Sequence, residues 1–159
     1  ASPTQDGPIF LPYLAGERPP HNDASVRGAI FDLDHYHDRA AMTNAVLAGV
    51  AFALRDSLDA LAQAGTRLES VLAVGGGTRS SHWLQIIADA LQLPVELPAS
   101  GELGAAFGAA RLAMMADGAA LDDISTRPKI ARLFEPQSDK SKQLARYRAL
   151  YPALKEASR

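Results

Sequence analysis

The chain has 159 residues, 47% hydrophobic and 21% charged, with a formal net charge of −2 and no cysteine. That describes one globular domain with a real core, and its charge gives no argument for nucleic acid or an anionic membrane as a partner. Without cysteine, disulfides, thiolate metal sites and cysteine nucleophiles are excluded, and a reducing, cytoplasmic setting is expected. No apolar run reaches the roughly 18 residues of a membrane span, and no signal-peptide pattern opens the chain. It starts Ala1, Ser2, Pro3 without a methionine, so a piece of a larger protein is expected.

In chain order, residues 9–14 read as a strand interrupted by Pro12, and a loop rich in glycine and proline follows. Residues 29–33 form a second short strand. Asp38 is a helix cap, and helical periodicity runs on to Ala64, where Gly65 supplies the stop. Met42, Val46, Val50, Leu54, Leu58 and Leu61 mark the expected buried stripe of this helix, which at about 1.5 Å per residue spans about 40 Å. Residues 71–74 read as a buried strand. Gly75, Gly76 and Gly77 break it, and Ser80 and Ser81 open a helix whose apolar face carries Trp83, Ile86, Ile87, Ala90 and Leu91. A strand at 95–97 leads to Ser100, expected to cap a helix that ends near Ala116 before Gly118. Residues 119–138 read as irregular, with Pro128 and Pro136. A last amphipathic helix carries Leu144, Tyr147, Leu150, Tyr151 and Leu154. Two strands followed by alternating helices and strands spell an α/β fold with helices on the sheet faces.

The glycine turn is the most informative segment. A plain strand-to-helix turn needs one or two glycines; three in a row followed by two serines favour a ligand, because bare backbone admits a flat ring or a phosphate. The P-loop pattern fails, since no lysine stands near the turn. The dinucleotide fingerprint fits in part, as Gly75-x-Gly77-x-x-Ser80 with Glu96 at the end of the next strand, and stays as the alternative. Gly101, Gly104, Ala105, Gly108 and Ala109 form a small-residue face, for helix packing or for close approach to a ligand beside the turn. Asp32, Asp34, His35, His37 and Asp38 could in principle gather a divalent metal, but a solvated loop is the simpler reading. Glu17 and Arg18 read as a loop lock, and His82 and Asp89, two helical turns apart, are assigned no chemistry.

Four blocks in register, FLPYLAGERPPHN (10–22), AVLAGVAFAL (45–54), VGGGTRS (74–80, with Gln85, Ala88 and Asp89) and GAAFGAARL (104–112), resemble the FGGY carbohydrate kinases, and within them the xylulokinase branch. The resemblance implies a ribonuclease H-like, actin-like ATPase fold, of which this chain is an incomplete second domain. Its core would span about 9–118 and its tail helix about 139–156, with the N-terminal domain absent. It implies ATP with Mg2+ as phosphate donor and a small sugar, D-xylulose, as acceptor, and is compatible with a homodimer. The general base would lie upstream, with no catalytic residue and no metal ligand in this chain. For the adenosine half of the nucleotide the resemblance implies Gly76 and Gly77 against the adenine or ribose and Ser80 offering a hydroxyl, with Gly75, Thr78 and Arg79 completing the turn. The chain departs from the family pattern at Asp32, where glycine is usual, and at Ala41 and Ala48, where acids are common. Other kinases of the family (glycerol, gluconate or ribulose type) and a non-catalytic interaction module are the remaining alternatives.

Overall fold

Helix α1 (Arg39–Gln63) organises the molecule. The Asp38 carboxylate accepts the Ala41 N–H at 2.8 Å, and the chain leaves the helix through Ala64 into Gly65 at φ +92°. Both ends are where the sequence puts them. The computed structural model describes residues 7–99 and 104–158.

One small sheet packs on this helix and a second packs on the next α-helix of the chain. Strands β1 (Ile9–Leu11) and β2 (Ala29–Phe31) pair antiparallel, with Ile9 opposite Phe31. Pro12 ends β1 early because it has no N–H for the ladder. The second sheet runs β3 (Val71–Leu72), β4 (Val95–Pro98), β5 (Ile130–Phe134), parallel in its first pair and antiparallel in its second. Helix α2 (Ser81–Leu91) crosses between β3 and β4. After β4 come α3 (Gly104–Ala116), the single turn α4 (Leu121–Ile124), β5 and the tail helix α5 (Ser141–Ala157). The expected cap Ser100 and Gly101 lie outside the described residues.

Three expectations need correction. Residues 71–74 are not a buried strand: β3 has two residues, and Leu72 and Val74 are exposed. Residues 119–138 are not irregular throughout: they contain α4 and β5. Only Phe134 of β5 is buried, so the strand carries no alternating apolar pattern, and Pro128 and Pro136 bracket it. The buried face of α1 is also rotated from the large-aliphatic stripe. Ala45, Gly49, Ala51, Phe52 and Asp56 point inward, while Val46, Leu54 and Leu61 remain exposed. Small residues win here because β1 packs directly on the helix: a Cβ added to Gly49 would lie 2.1 Å from the Phe10 carbonyl oxygen. The displaced stripe (Leu54, Leu58, Leu61) lines an open groove with Leu68 and residues 71–74.

The main core joins Leu11, Tyr13, Val26, Phe52, Tyr147 and Leu154; a second cluster joins Leu84, Ala88, Val95 and Phe134 under the second sheet. Tyr147 is 1% exposed, which makes it core, and its hydroxyl bonds that of Tyr13 at 2.8 Å. Burial pushes Tyr13 up to about 12 and raises Tyr147 as well. The buried Asp56 accepts from Arg148 Nε at 2.7 Å, which fastens α5 across α1.

Candidate functional site

Strand β3 delivers the chain to Gly75, whose φ of +95° only glycine adopts without strain. A 3-10 turn over Gly76–Arg79 follows, then Ser80 and α2. The turn closes on itself. Thr78 donates its N–H to Gly75 O at 3.1 Å and its hydroxyl to the same oxygen at 2.7 Å. Ser80 N–H donates to Gly77 O at 3.2 Å, and Ser80 Oγ accepts the Trp83 N–H at 3.1 Å. Ser80 is therefore the N-cap of α2, and its hydroxyl proton is left to donate elsewhere.

Space around the glycines differs sharply. A Cβ added to Gly75 or Gly76 would have no atom of the described residues within 4 Å, whereas one on Gly77 would sit 3.3 Å from Cδ1 and Nε1 of Trp83. The bare face thus belongs to Gly75 and Gly76; Gly77, expected against the adenine or ribose, is backed by the Trp83 ring instead. The face lies beside the N-terminus of α2, whose first turn has no acidic residue and whose free N–H groups favour a polar or anionic ligand. It offers open backbone to a flat ring, with a hydroxyl donor at Ser80. Arg79 is exposed at the end of the turn. The six expected residues are thus brought together, but with unequal access.

Of the small-residue face on α3, Gly104 packs on Val74, its added Cβ lying 2.8 Å from that side chain, while Gly108 opens to space. Packing accounts for the first. Glu96, the acid a dinucleotide ribose would need, accepts from Arg127 Nη2 through both oxygens at 2.6 and 2.7 Å. Hydrogen bonds from Ser70 and Arg127 hold its carboxyl below the usual range. That engagement argues against the dinucleotide alternative.

The acidic and histidine-bearing loop after β2 is used locally. Asp34 N–H donates to His37 Nδ1 at 2.8 Å, Asp34 pairs with His35 at 2.9 Å, Asp32 pairs with Arg146 and Asp38 caps α1. No group of three or more His, Asp or Glu side chains suited to a metal occurs among the described residues. Mg2+ does not fit these residues as a site of its own. Glu17 locks its loop, accepting the His21 N–H at 2.8 Å. His82 Nε2 meets Asn44 Oδ1 at 2.9 Å, linking α2 to α1.

Asp89 has a role that spacing along its helix does not reveal. Buried on α2, it accepts from the Gln137 N–H at 2.8 Å, the Ser138 hydroxyl at 2.6 Å and the Gln85 amide at 2.9 Å. Burial alone would raise its pKa; the donors together outweigh that and lower it. Asp89 thereby fixes the segment that leads from β5 into α5. Gln85 is four residues away on the same helix, but Gln137 and Ser138 stand 48 and 49 residues away, beyond what helix spacing can show.

Comparison with known proteins bears on this turn. Residues 1–116 match the C-terminal domain of the FGGY family of carbohydrate kinases. The chain belongs to that family. FGGY sugar kinases have the actin-like ATPase fold, and this chain is their C-terminal domain. A xylulose kinase of Escherichia coli is 44% identical over 107 residues, covering 67% of this chain and 22% of its own. A glycerol kinase of Haemophilus influenzae is 34% identical over 155 residues, covering 96% and 31%. The crystal structure named as a Brucella ovis xyloylose kinase superposes with a TM-score of 0.86 at 51% identity, covering 99% of this chain and 33% of that one. The chain thus spans between a fifth and a third of the FGGY relatives it matches. Among the described residues, no helix is long and apolar enough to cross a membrane.

Proposed function

We propose that this chain is the adenosine-holding part of an ATP-dependent sugar kinase, and that the sugar is D-xylulose, converted to D-xylulose 5-phosphate. The observation that carries the nucleotide reading is the bare face of Gly75 and Gly76 at the capped start of α2, in a chain of the FGGY family. The names of the relatives support D-xylulose over glycerol as the acceptor. In this reading the 159 residues form one C-terminal unit, with a core over about 9–118 and the tail helix bound to it. Gly75 and Gly76 face the purine or ribose, Ser80 donates its hydroxyl proton to the nucleotide, and Gly77, Thr78 and Arg79 complete the turn. ATP brings the γ-phosphate to be transferred to the sugar 5-hydroxyl, and its Mg2+ is held by groups outside this chain. The general base that takes the sugar proton also lies outside it. The setting is cytoplasmic.

An NMR titration of the isolated chain tests this. Adenosine, ADP and ATP are expected to bind within a few-fold of one another, with Kd of about 0.1–1 mM, or about −4 to −5.5 kcal/mol. Shifts should centre on residues 75–81. ATP binding a hundredfold tighter than adenosine would place a phosphate site inside these residues, and absence of any shift at the turn would remove the adenosine assignment. The isolated chain should not phosphorylate D-xylulose; turnover would overturn the placement of the base.

A further inference from the structure

The three glycines of the turn answer to three different neighbours. Gly75 is required by its backbone conformation and Gly76 faces open space, but Gly77 has an ordinary φ and a wall behind it. That wall is the indole of Trp83, 3.3 Å from the position of an added Cβ through both Cδ1 and Nε1. Trp83 is half-buried and packs against the main core beside Ile86 and Ile87. Its main chain is tied to the same turn, since its N–H is the group that Ser80 Oγ accepts. One residue therefore holds both ends of the segment: its ring meets the start of the 3-10 turn, and its amide fixes the serine that ends it.

We infer that Trp83 is the positioning residue of the nucleotide turn. Its ring requires glycine at position 77 and sets the height of the Gly75–Gly76 face relative to the Ser80 hydroxyl. The nucleotide need not touch Gly77 at all. Any larger residue at 77 must displace either the turn or the indole. The indole is seated on the core and cannot yield freely, so the turn moves. This inference rests on the adenosine reading for its functional consequence, but not for its structural one.

The test is a double-mutant cycle in the 159-residue chain, with adenosine as the probe. Gly77→Ala should weaken adenosine binding at least about fivefold, because small displacements of a binding group are costly. Trp83→Leu opens the space behind residue 77, and Gly77→Ala combined with Trp83→Leu should bind within about twofold of Trp83→Leu alone. Trp83→Phe, which keeps a ring, should keep most of the Gly77→Ala penalty. The amide shifts of Thr78 and Ser80 in the ligand-free proteins should show the same coupling. If Gly77→Ala costs the same with tryptophan or leucine at 83, in binding and in ligand-free shifts alike, the inference is wrong. If the parent chain fails to bind adenosine while the ligand-free shifts still couple, the adenosine reading fails and the positioning role stands. Should Trp83→Leu not fold, the comparison of Trp83→Phe with Trp83→Met decides by the same coupling.

Discussion

At Gly49 the carbonyl oxygen of Phe10 would sit 2.1 Å from an added Cβ, whereas at Gly76 no atom of the described residues lies within 4 Å of one. Both glycines stand in blocks that resemble the same family, and a sequence comparison treats them alike. One lets strand β1 press against helix α1 and is filled by protein. The other leaves space over the backbone beside a helix start, and nothing among the described residues fills it. Glycine for packing and glycine for binding are separated only by what surrounds them, and substitutions should separate them too.

The largest effect is expected at the packed position. Gly49→Ala forces α1 away from β1 along the main core, an overpacking against backbone that should cost about 3 kcal/mol or more, read by urea denaturation. A loss under about 1 kcal/mol would mean the two elements separate easily, and the contrast with Gly76 would collapse. Next comes Asp89→Ala, which strands the Gln137 N–H and the Ser138 hydroxyl and should cost about 2–3 kcal/mol.

Asp89 also gives the packed side a pH signature. Its folded pKa is lowered, so the unfolded chain binds the proton more readily. Its contribution is complete above its ordinary value of 3.8 and drains as pH falls through the lower folded value. Asp89→Asn should therefore flatten the acid limb of the stability curve below about pH 4 and leave its shape unchanged near neutrality.

The binding side should respond in affinity instead of stability. Gly76→Val is expected to weaken adenosine at least tenfold, or about 1.4 kcal/mol, while shifting stability by less than about 1 kcal/mol. Equal adenosine affinity in a folded Gly76→Val chain would put the ligand elsewhere. The smallest effect is expected at Asp32, which departs from the usual glycine yet adopts φ +56°. Asp32→Gly relieves a left-handed residue but removes the pair with Arg146, and the two should cancel to within about 1 kcal/mol. Asp32→Ala, which loses the pair and keeps the strain, should be the less stable of the two.

The sequence is legible where one residue type has one physical reason. Asp38 and Gly65 bound α1 because caps act locally, and three consecutive glycines mark the turn for the same reason. What escapes is decided at a distance. The buried face of α1 follows Gly49 and Ala45, because a neighbouring strand needs close approach, and no count of large aliphatic residues anticipates that. Strand β5 is missed since one buried side chain, Phe134, gives it no pattern. The role of Trp83 hides inside an ordinary apolar helix face, and only the distance to Gly77 separates it from Ile86.

Among the described residues, strand β3 has β4 on one edge and no strand on the other. The N–H groups of Val71 and Ala73 reach Pro94 and Glu96, which turns those of Leu72 and Val74 toward the other edge. Beside that edge runs the groove in which Leu54, Leu61, Leu68, Leu72 and Val74 are exposed. Such a border is sticky in the colloidal sense: a ladder half-used, flanked by oil. In concentrated solution the isolated chain should self-associate through it, into pairs first and precipitate later. A single lysine at Leu72 should keep the chain monomeric without touching the glycine turn. Work on the isolated domain is thus best begun by dressing that edge.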